Sequence, residues 1–259
     1  MLAVWHKRGT ASMAEWLEGK IAGKRHWSQA LYSLQIDAAL PAFTAGQYIK
    51  VALDVDGERV GRPYSLVNAP HEQPLEIYFN EVPEGPLTPK LSDLEVGERI
   101  WVSDKASGVF TLDNVVPRRH LWMLATGTAL GVYLSMLKTG GPWERFERVI
   151  LVHGARNAGE LSYAETIAEI QAAHADSFTF ITALTRDNSE TALQGRITNL
   201  LAQGSLQAAA DADITPEDSH FMLCGNSAMI KDVRAWLEAR GMRRHKRHEP
   251  GHYTTEQYH

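Results

Sequence analysis

One cysteine, Cys224, stands in 259 residues, and that scarcity excludes a good deal. No disulfide can form within the chain, and no protein-ligated iron–sulfur cluster can be built, so any such cluster would belong to another protein. Long apolar runs are missing as well. Nothing approaches the length of a membrane span, and no apolar segment near the start leads into a cleavage site. Positive charge is not in excess: 26 Lys and Arg face 31 Asp and Glu, for a net charge of -5. That balance argues against nucleic acid as a partner. The expectation is a monomeric cytoplasmic protein, off the membrane and without a metal site.

What is present is an ordinary globular composition, 44% hydrophobic and 22% charged, with length enough for two medium domains. Residues 1–12 lack sustained periodicity, carry Lys7-Arg8-Gly9 and precede a second methionine, Met13; they read as a disordered extension outside the fold. From there, Leu31–Ile36 and Tyr48–Leu53 alternate with period two, and Asp56-Gly57 turns the chain back toward Arg59-Val60 as a hairpin. Leu75–Val82 and Arg99–Val102 continue the strands, with a short helix expected over Leu91–Leu94. Closely spaced strands of this kind predict an antiparallel β-barrel over 13–116. From 117 to 259 the pattern changes to strands and helices in alternation. Strands are predicted at Leu121–Ala125, Val149–His153, Phe178–Leu184 and Phe221–Cys224, and helices at Ala129–Lys138, Leu161–His174, Ile197–Ala202 and Ala228–Arg240. Such alternation predicts an α/β doubly wound parallel sheet, with ligands beyond the carboxyl ends of its strands.

Several short stretches carry chemistry. Arg62-Pro63-Tyr64-Ser65 is extended, because Pro63 restricts itself and Arg62. Its guanidinium matches a diphosphate, its phenol offers a stacking plane and its hydroxyl can bond a ring nitrogen. Taken alone, the tetrapeptide reads first as an ordinary edge strand with a solvated arginine. Thr126-Gly127-Thr128-Ala129-Leu130-Gly131 follows a strand and opens a helix, so its backbone can approach a pyrophosphate, although the full dinucleotide glycine pattern is missing. Cys224-Gly225-Asn226 occupies a second strand end, where a thiol beside a helix start is either a small core residue or a functional one. Arg156, Arg186 and Arg196 each lie just past a strand end. Cations there suit a 2'-phosphate and favour NADP over NAD.

Taken in order, these motifs resemble those of bacterial ferredoxin–NADP reductases, also called flavodoxin reductases, from about Met13 to His259. Arg62-Pro63-Tyr64-Ser65 is similar to that family's flavin motif, Gly85-Pro86-Leu87-Thr88 to its FAD phosphate segment, and Ala125-Thr126-Gly127-Thr128 to its NADP glycine motif. Cys224-Gly225-Asn226 and the ending Glu256-Gln257-Tyr258 complete the set. The resemblance implies an N-terminal FAD barrel and an NADP domain, with the flavin at their junction. Arg62 and Pro63 would then lie at the FAD pyrophosphate, Tyr64 on the flavin and Ser65 near its N5. Phe79, Asn80, Glu81, Pro86, Leu87, Thr88 and Thr128 would line the rest of FAD. Thr126, Gly127, Arg156, Arg186, Arg196, Gly225 and Asn226 would hold NADP. Ser65, Cys224, Glu256 and Tyr258 would form the catalytic group, with Tyr258 covering a flavin face and yielding to nicotinamide. Glu256 resembles a proton-relaying carboxylate of plastid relatives.

The chain departs from the family pattern at Ser227 and Val132, where proline is usual, and at Ala129, where glycine is. His259 replaces a terminal tryptophan that would stack on the FAD adenine. The implied activity is hydride exchange between NADPH and FAD, with single electrons passing to ferredoxin or flavodoxin. A basic run, Met242–His248, is either a docking surface for such acidic carriers or a solvated turn. Two rivals stand beside this reading: an NADPH-dependent reductase of free flavin, a ferric chelate or an oxygenase component, and a non-catalytic flavin-binding regulator. If the adenine packs on residue 259, His259→Trp should tighten FAD retention. The FAD dissociation constant measures this, and an unchanged value counts against the contact.

Overall fold

The computed structural model describes residues 16–258, so the expected extension at 1–12 and the His259 contact lie outside the described residues. The first part of the chain forms β1 (Trp16–Ser28), β2 (Leu31–Asp37), β3 (Tyr48–Val55), β4 (Glu58–Ser65), β5 (Leu75–Asn80) and β6 (Arg99–Ser103). They pair antiparallel in the order β4-β3-β6-β1-β2-β5. A bridge between Leu66 and Ile77, with Val67 N–H donating to Glu76 O at 2.9 Å, joins the two edges into a barrel. Ile21, Leu34, Ile36, Ile49, Val51 and Ile77 fill it. The β3–β4 turn has Asp56 at φ 52° and Gly57 at φ 84°, the left-handed pair that a tight hairpin demands. Strand β1 is long and central, yet its alternation is broken by register shifts at Ile21/Gly23 and His26/Ser28. Those irregularities hide it from a period-two reading. The short helix α1 (Thr88–Asp93) starts three residues earlier than expected.

The second part forms β7 (His120–Thr126), β8 (Arg148–Ala155), β9 (Phe178–Leu184), β10 (Leu193–Gln194), β11 (Ser219–Gly225) and β12 (Tyr253–Gln257). All are parallel, in the order β10-β9-β8-β7-β11-β12. Between them run α2 (Leu130–Leu137), α3 (Gly141–Arg145), α4 (Ala164–Ala173), α5 (Ile197–Ala202), α6 (Ser205–Ala210) and α7 (Ser227–Glu238). Each central strand sends alternate residues to opposite faces. Leu121, Met123, Leu151, Met222 and Cys224 pack with α2 and α4, whereas Trp122, Leu124, Ile150, Phe221 and Leu223 pack with α5, α6 and α7. The fold is therefore an antiparallel β-barrel followed by a doubly wound α/β sheet. The elements α3, α6, β10 and β12 were not foreseen. The helix expected from Leu161 begins at Ala164, because Tyr163 takes a left-handed φ of 61° and turns toward the barrel.

One apolar cluster spans both parts, joining Leu31, Val67, Tyr78 and Phe110 of the first to Leu130, Tyr133 and Met136 of the second. Polar contacts ring it. Tyr163 OH donates to Glu76 Oε1 at 2.6 Å, Tyr78 OH to Ser162 Oγ at 2.9 Å, and Ser135 Oγ–H to Asn68 O at 2.8 Å. Lys138 Nζ meets Glu72 at 3.0 Å. A bond to a charged acceptor such as Glu76 is worth roughly 1.5–3 kcal/mol net. No helix among the described residues is long and apolar enough to cross a membrane.

The basic run Met242–His248 lies at the amino end of β11 and β12. Arg244 bridges Tyr253 there, and Lys246 pairs with Glu249 at 3.0 Å. Strand rise puts it roughly 15 Å from the carboxyl ends, so of the two readings of this run the solvated turn fits its place in the fold better. Beneath it, fully buried His220 has no partner for either ring nitrogen. His245, Arg118, His252 and Arg145 face it, and burial holds its pKa down to about 3. An unfolded histidine takes its proton near 6.5, so His220 contributes stability that is full above that pH and lost as pH falls toward 3. His220→Leu should therefore flatten the acid limb of urea midpoints measured at stepped pH. At neutral pH its midpoint should be no lower than that of the wild type, since two unsatisfied polar atoms are removed.

Candidate functional site

A cleft of about 610 Å³ opens beyond the carboxyl ends of β7, β8, β9 and β11. It sits where the strand order reverses between β7 and β11, the place a doubly wound sheet offers to a nucleotide. Two loops make its floor. Gly127, at φ 56°, begins the turn into α2. Gly225, at φ 124°, ends β11, and a Cβ there would collide with the Thr126 hydroxyl and backbone. Asn226 N–H donates to Thr126 Oγ1 at 2.8 Å, so the two loops brace each other. The Asn226 side chain caps α7, accepting from Ala228 N at 2.9 Å and Met229 N at 3.2 Å. Thr126 and Asn226 thus have structural work for their polar groups, which their spacing in sequence did not reveal.

At the far end the cleft continues into a hollow of about 500 Å³ lined by Arg156, Thr185, Arg186, Gly195, Arg196 and Asn199. Three guanidinium-bearing residues from the ends of different strands converge there, as the sequence spacing suggested. They are not equivalent, however. Arg156 is held by Glu160, with Nε to Oε1 at 2.8 Å and its own N–H to Oε2 at 2.9 Å. Glu160 also lines the cleft, and sequence reading missed it.

On the barrel side, β4 places Arg62 and Pro63 in solvent and half-buries Tyr64 and Ser65. Arg62 Nη1 donates to Gly61 O at 2.8 Å. Burial pushes the Tyr64 phenol up to about 12, against the opposing pull of Arg62. Phe79 is itself buried and meets Tyr64 edge-on, with centroids 6.0 Å apart. It therefore backs the Tyr64 ring from inside the barrel. Asn80 faces outward and lines the cleft with Tyr258. Glu81 is fixed through its backbone, N–H to Ala30 O at 2.7 Å. Pro86 is exposed, but Leu87 points into the barrel core and the Thr88 hydroxyl accepts from Val82 N at 2.9 Å. The expected phosphate segment therefore offers Leu87 only through its backbone.

The C-terminal strand joins the halves. Register along β11 and β12 pairs Cys224 with Glu256 and Gly225 with Gln257. Tyr258 then reaches across to the barrel, where its hydroxyl donates to Ser65 Oγ at 2.5 Å and also contacts the Cys224 sulfur. Ser65, Cys224, Glu256 and Tyr258 are thus brought together, 193 positions separating the first from the last. Cys224 is fully buried. Burial, and then the Glu256 charge, push its thiol well up, which overrides the activating effect expected of a nearby helix start. It is a neutral thiol. Burial also raises the Tyr258 phenol well above its ordinary value. Glu256 Oε2 is buried with no partner, and burial lifts the carboxyl to about 7.

The donor set suits two nucleotides. A free backbone cradle and convergent arginines match a phosphorylated dinucleotide on the sheet. On the barrel, an exposed guanidinium and a phenol ring beside a hydroxyl match FAD. A model described as an oxidoreductase FAD-binding domain matches residues 24–106, and one described as an oxidoreductase NAD-binding domain matches residues 123–235. The chain is 43% identical to a flavodoxin/ferredoxin–NADP reductase of Shigella flexneri, over 95% of this chain and 100% of that protein. It is 42% identical to the protein of the same name from Escherichia coli (strain K12), with the same coverage. A ferredoxin NADP+ reductase from Neisseria gonorrhoeae, solved with bound FAD and NADP, aligns with a TM-score of 0.88 at 28% identity. That alignment covers 95% of this chain and 99% of that one.

The raised Glu256 carboxyl has a measurable consequence. The native state keeps its proton up to about pH 7, while the unfolded chain releases it near 4.5. Its contribution to stability is full below 4.5 and lost as pH rises through about 7. In Glu256→Gln, the unfolding free energy should gain on the wild type across that window and then level off. Parallel profiles from the two proteins would show that Glu256 does not titrate this way.

Proposed function

This chain belongs to the flavodoxin/ferredoxin–NADP reductase family, and from that premise we propose how its residues divide the work of an FAD-dependent NADPH oxidoreductase. The observation that carries the reading is the Tyr258–Ser65 bond, because it ties the end of the nucleotide cleft to the barrel strand bearing Arg62 and Tyr64. FAD, when bound, supplies the chemistry that turns a two-electron hydride from NADPH into single electrons for a carrier. The protein's contribution is position and electrostatics.

In this reading Arg62 binds the FAD diphosphate and Tyr64 stacks on the ring, stiffened from behind by Phe79. The Ser65 hydroxyl orients the reacting edge. Tyr258 covers the opposite face and shields it from water until nicotinamide displaces it. Neutral Cys224 gives that pocket a small apolar wall. Glu256, carrying its proton up to about pH 7, keeps negative charge away from the transferred hydride. Gly127, Gly225 and Thr128, the last reassigned here from FAD because it lines this cleft, offer backbone to the nucleotide, and Arg186 and Arg196 take the 2'-phosphate. Because Arg156 is occupied by Glu160, we assign it the weaker part in phosphate binding.

We divide the chain into an FAD domain over residues 13–116 and an NADP domain over 117–259. The electron partners are ferredoxin or flavodoxin, and the protein acts as a cytoplasmic monomer. With the basic run far from the site, docking falls to the barrel face that carries Arg62. Purified protein should be yellow and should reduce a one-electron acceptor with NADPH far faster than with NADH. Arg186→Ala with Arg196→Ala should raise KM for NADPH by about a hundredfold, each lost charged contact counting roughly tenfold, and leave KM for NADH nearly unchanged. Equal loss with both nucleotides would refute the 2'-phosphate assignment.

A further inference from the structure

His153 belongs to the sheet interior: it is third from the end of β8 and fully buried, and the functions assigned above do not use it. It shares the sheet face of Leu151, the face that also carries Cys224 and packs against α2. Its Nε2 lies 3.1 Å from Gly127 O. A carbonyl only accepts, so Nε2 carries the ring's proton, and Nδ1, buried without a partner, is the bare nitrogen. Burial drives its pKa down to about 4, so this tautomer is neutral around physiological pH.

Gly127 O receives a second bond, from Leu130 N–H at the start of α2. Both lone pairs of that carbonyl are therefore engaged, one by the helix and one by the imidazole. In a trans peptide the C=O and the following N–H point in opposite directions. Drawing the Gly127 oxygen down onto His153 consequently turns the Thr128 N–H away from that ring, and Gly127 and Thr128 both line the cleft. Gly127 is a natural place for this peptide to flip. Its φ of 56° is left-handed, and a Cβ there would meet nothing within 4 Å. Glycine is thus needed for the backbone angle and not for space, and its own conformational freedom does not hold the peptide in one orientation.

We propose that His153 is a positioning residue that locks the Gly127–Thr128 peptide with its N–H facing the NADP(H) cleft. The inference rests on the function proposed above, since it presumes that a nucleotide occupies the cleft. His153 acts through the loop and touches no reacting atom.

The test compares His153→Leu, which removes the donor, with His153→Gln, whose amide nitrogen can take the place of Nε2. NADP+ binding to the FAD-loaded protein is measured by calorimetry, alongside adenosine 2',5'-bisphosphate, a fragment that needs only the arginine hollow. His153→Leu should weaken NADP+ about tenfold, the worth of one oriented hydrogen bond, with fragment affinity and FAD content unchanged. His153→Gln should return NADP+ affinity to within about twofold of wild type. Wild-type affinity in His153→Leu, equal weakening in both variants, or parallel loss of the fragment would overturn the proposal. Should His153→Leu not fold, nitrogen NMR of the wild-type ring decides: a single Nε2–H tautomer that shifts on NADP+ addition supports the lock, and a ring that exchanges tautomers overturns it. Wild-type protein that binds neither nucleotide would instead strike down the proposed function.

Discussion

The packing of α2 on the barrel is the constraint from which the rest of the site follows. A Cβ at Gly131 would stand 3.0 Å from Val67 Cγ2, so only glycine lets helix and barrel approach this closely without displacement. That contact sets the distance between the strand carrying Ser65 and the strand ends at Gly127 and Gly225. Tyr258 can bridge to Ser65 only because the spacing is already fixed. Around it, Tyr163, Tyr78 and Ser135 bond across the junction and tie the orientation as well as the distance.

The central cluster shows burial prevailing over local electrostatics. Cys224 lies just before the start of α7, where partial positive charge should favour a thiolate. Its enclosure among apolar side chains and its neighbour Glu256 both oppose ionisation. Glu256 and Tyr258 are driven the same way, toward their neutral forms. Four polar residues thus occupy one pocket with little net charge, an arrangement suited to a step in which a hydride must cross without competing ions.

Much of the architecture was legible from sequence because its signals are local. The period-two runs in β2 and β3, the Asp56-Gly57 turn, and the strand and helix alternation after residue 117 follow directly from backbone geometry. So did the strand-end positions of Gly127, Gly225 and the arginines. What escaped was non-local. Strand β1 is defined by its pairing and bulges, and β12 by the edge that β11 offers to Tyr253–Gln257. Nothing in the spacing of Arg156 and Glu160 distinguished an occupied arginine from two open ones. Cys224 was weighed from its place beside a helix start, when its protonation depends first on burial and then on Glu256, 32 positions away. The basic run stayed open between a docking patch and a solvated turn because composition carries no information about which end of a strand it adorns.

The apolar cluster that runs from Val67 through Tyr133 has a consequence for how the molecule comes apart. Neither sheet owns a complete core on that side, so opening one exposes the buried face of the other. The barrel and the α/β sheet should consequently melt together as one cooperative unit, with no separately folded half surviving. Cofactor release on heating would then coincide with global unfolding and would not precede it.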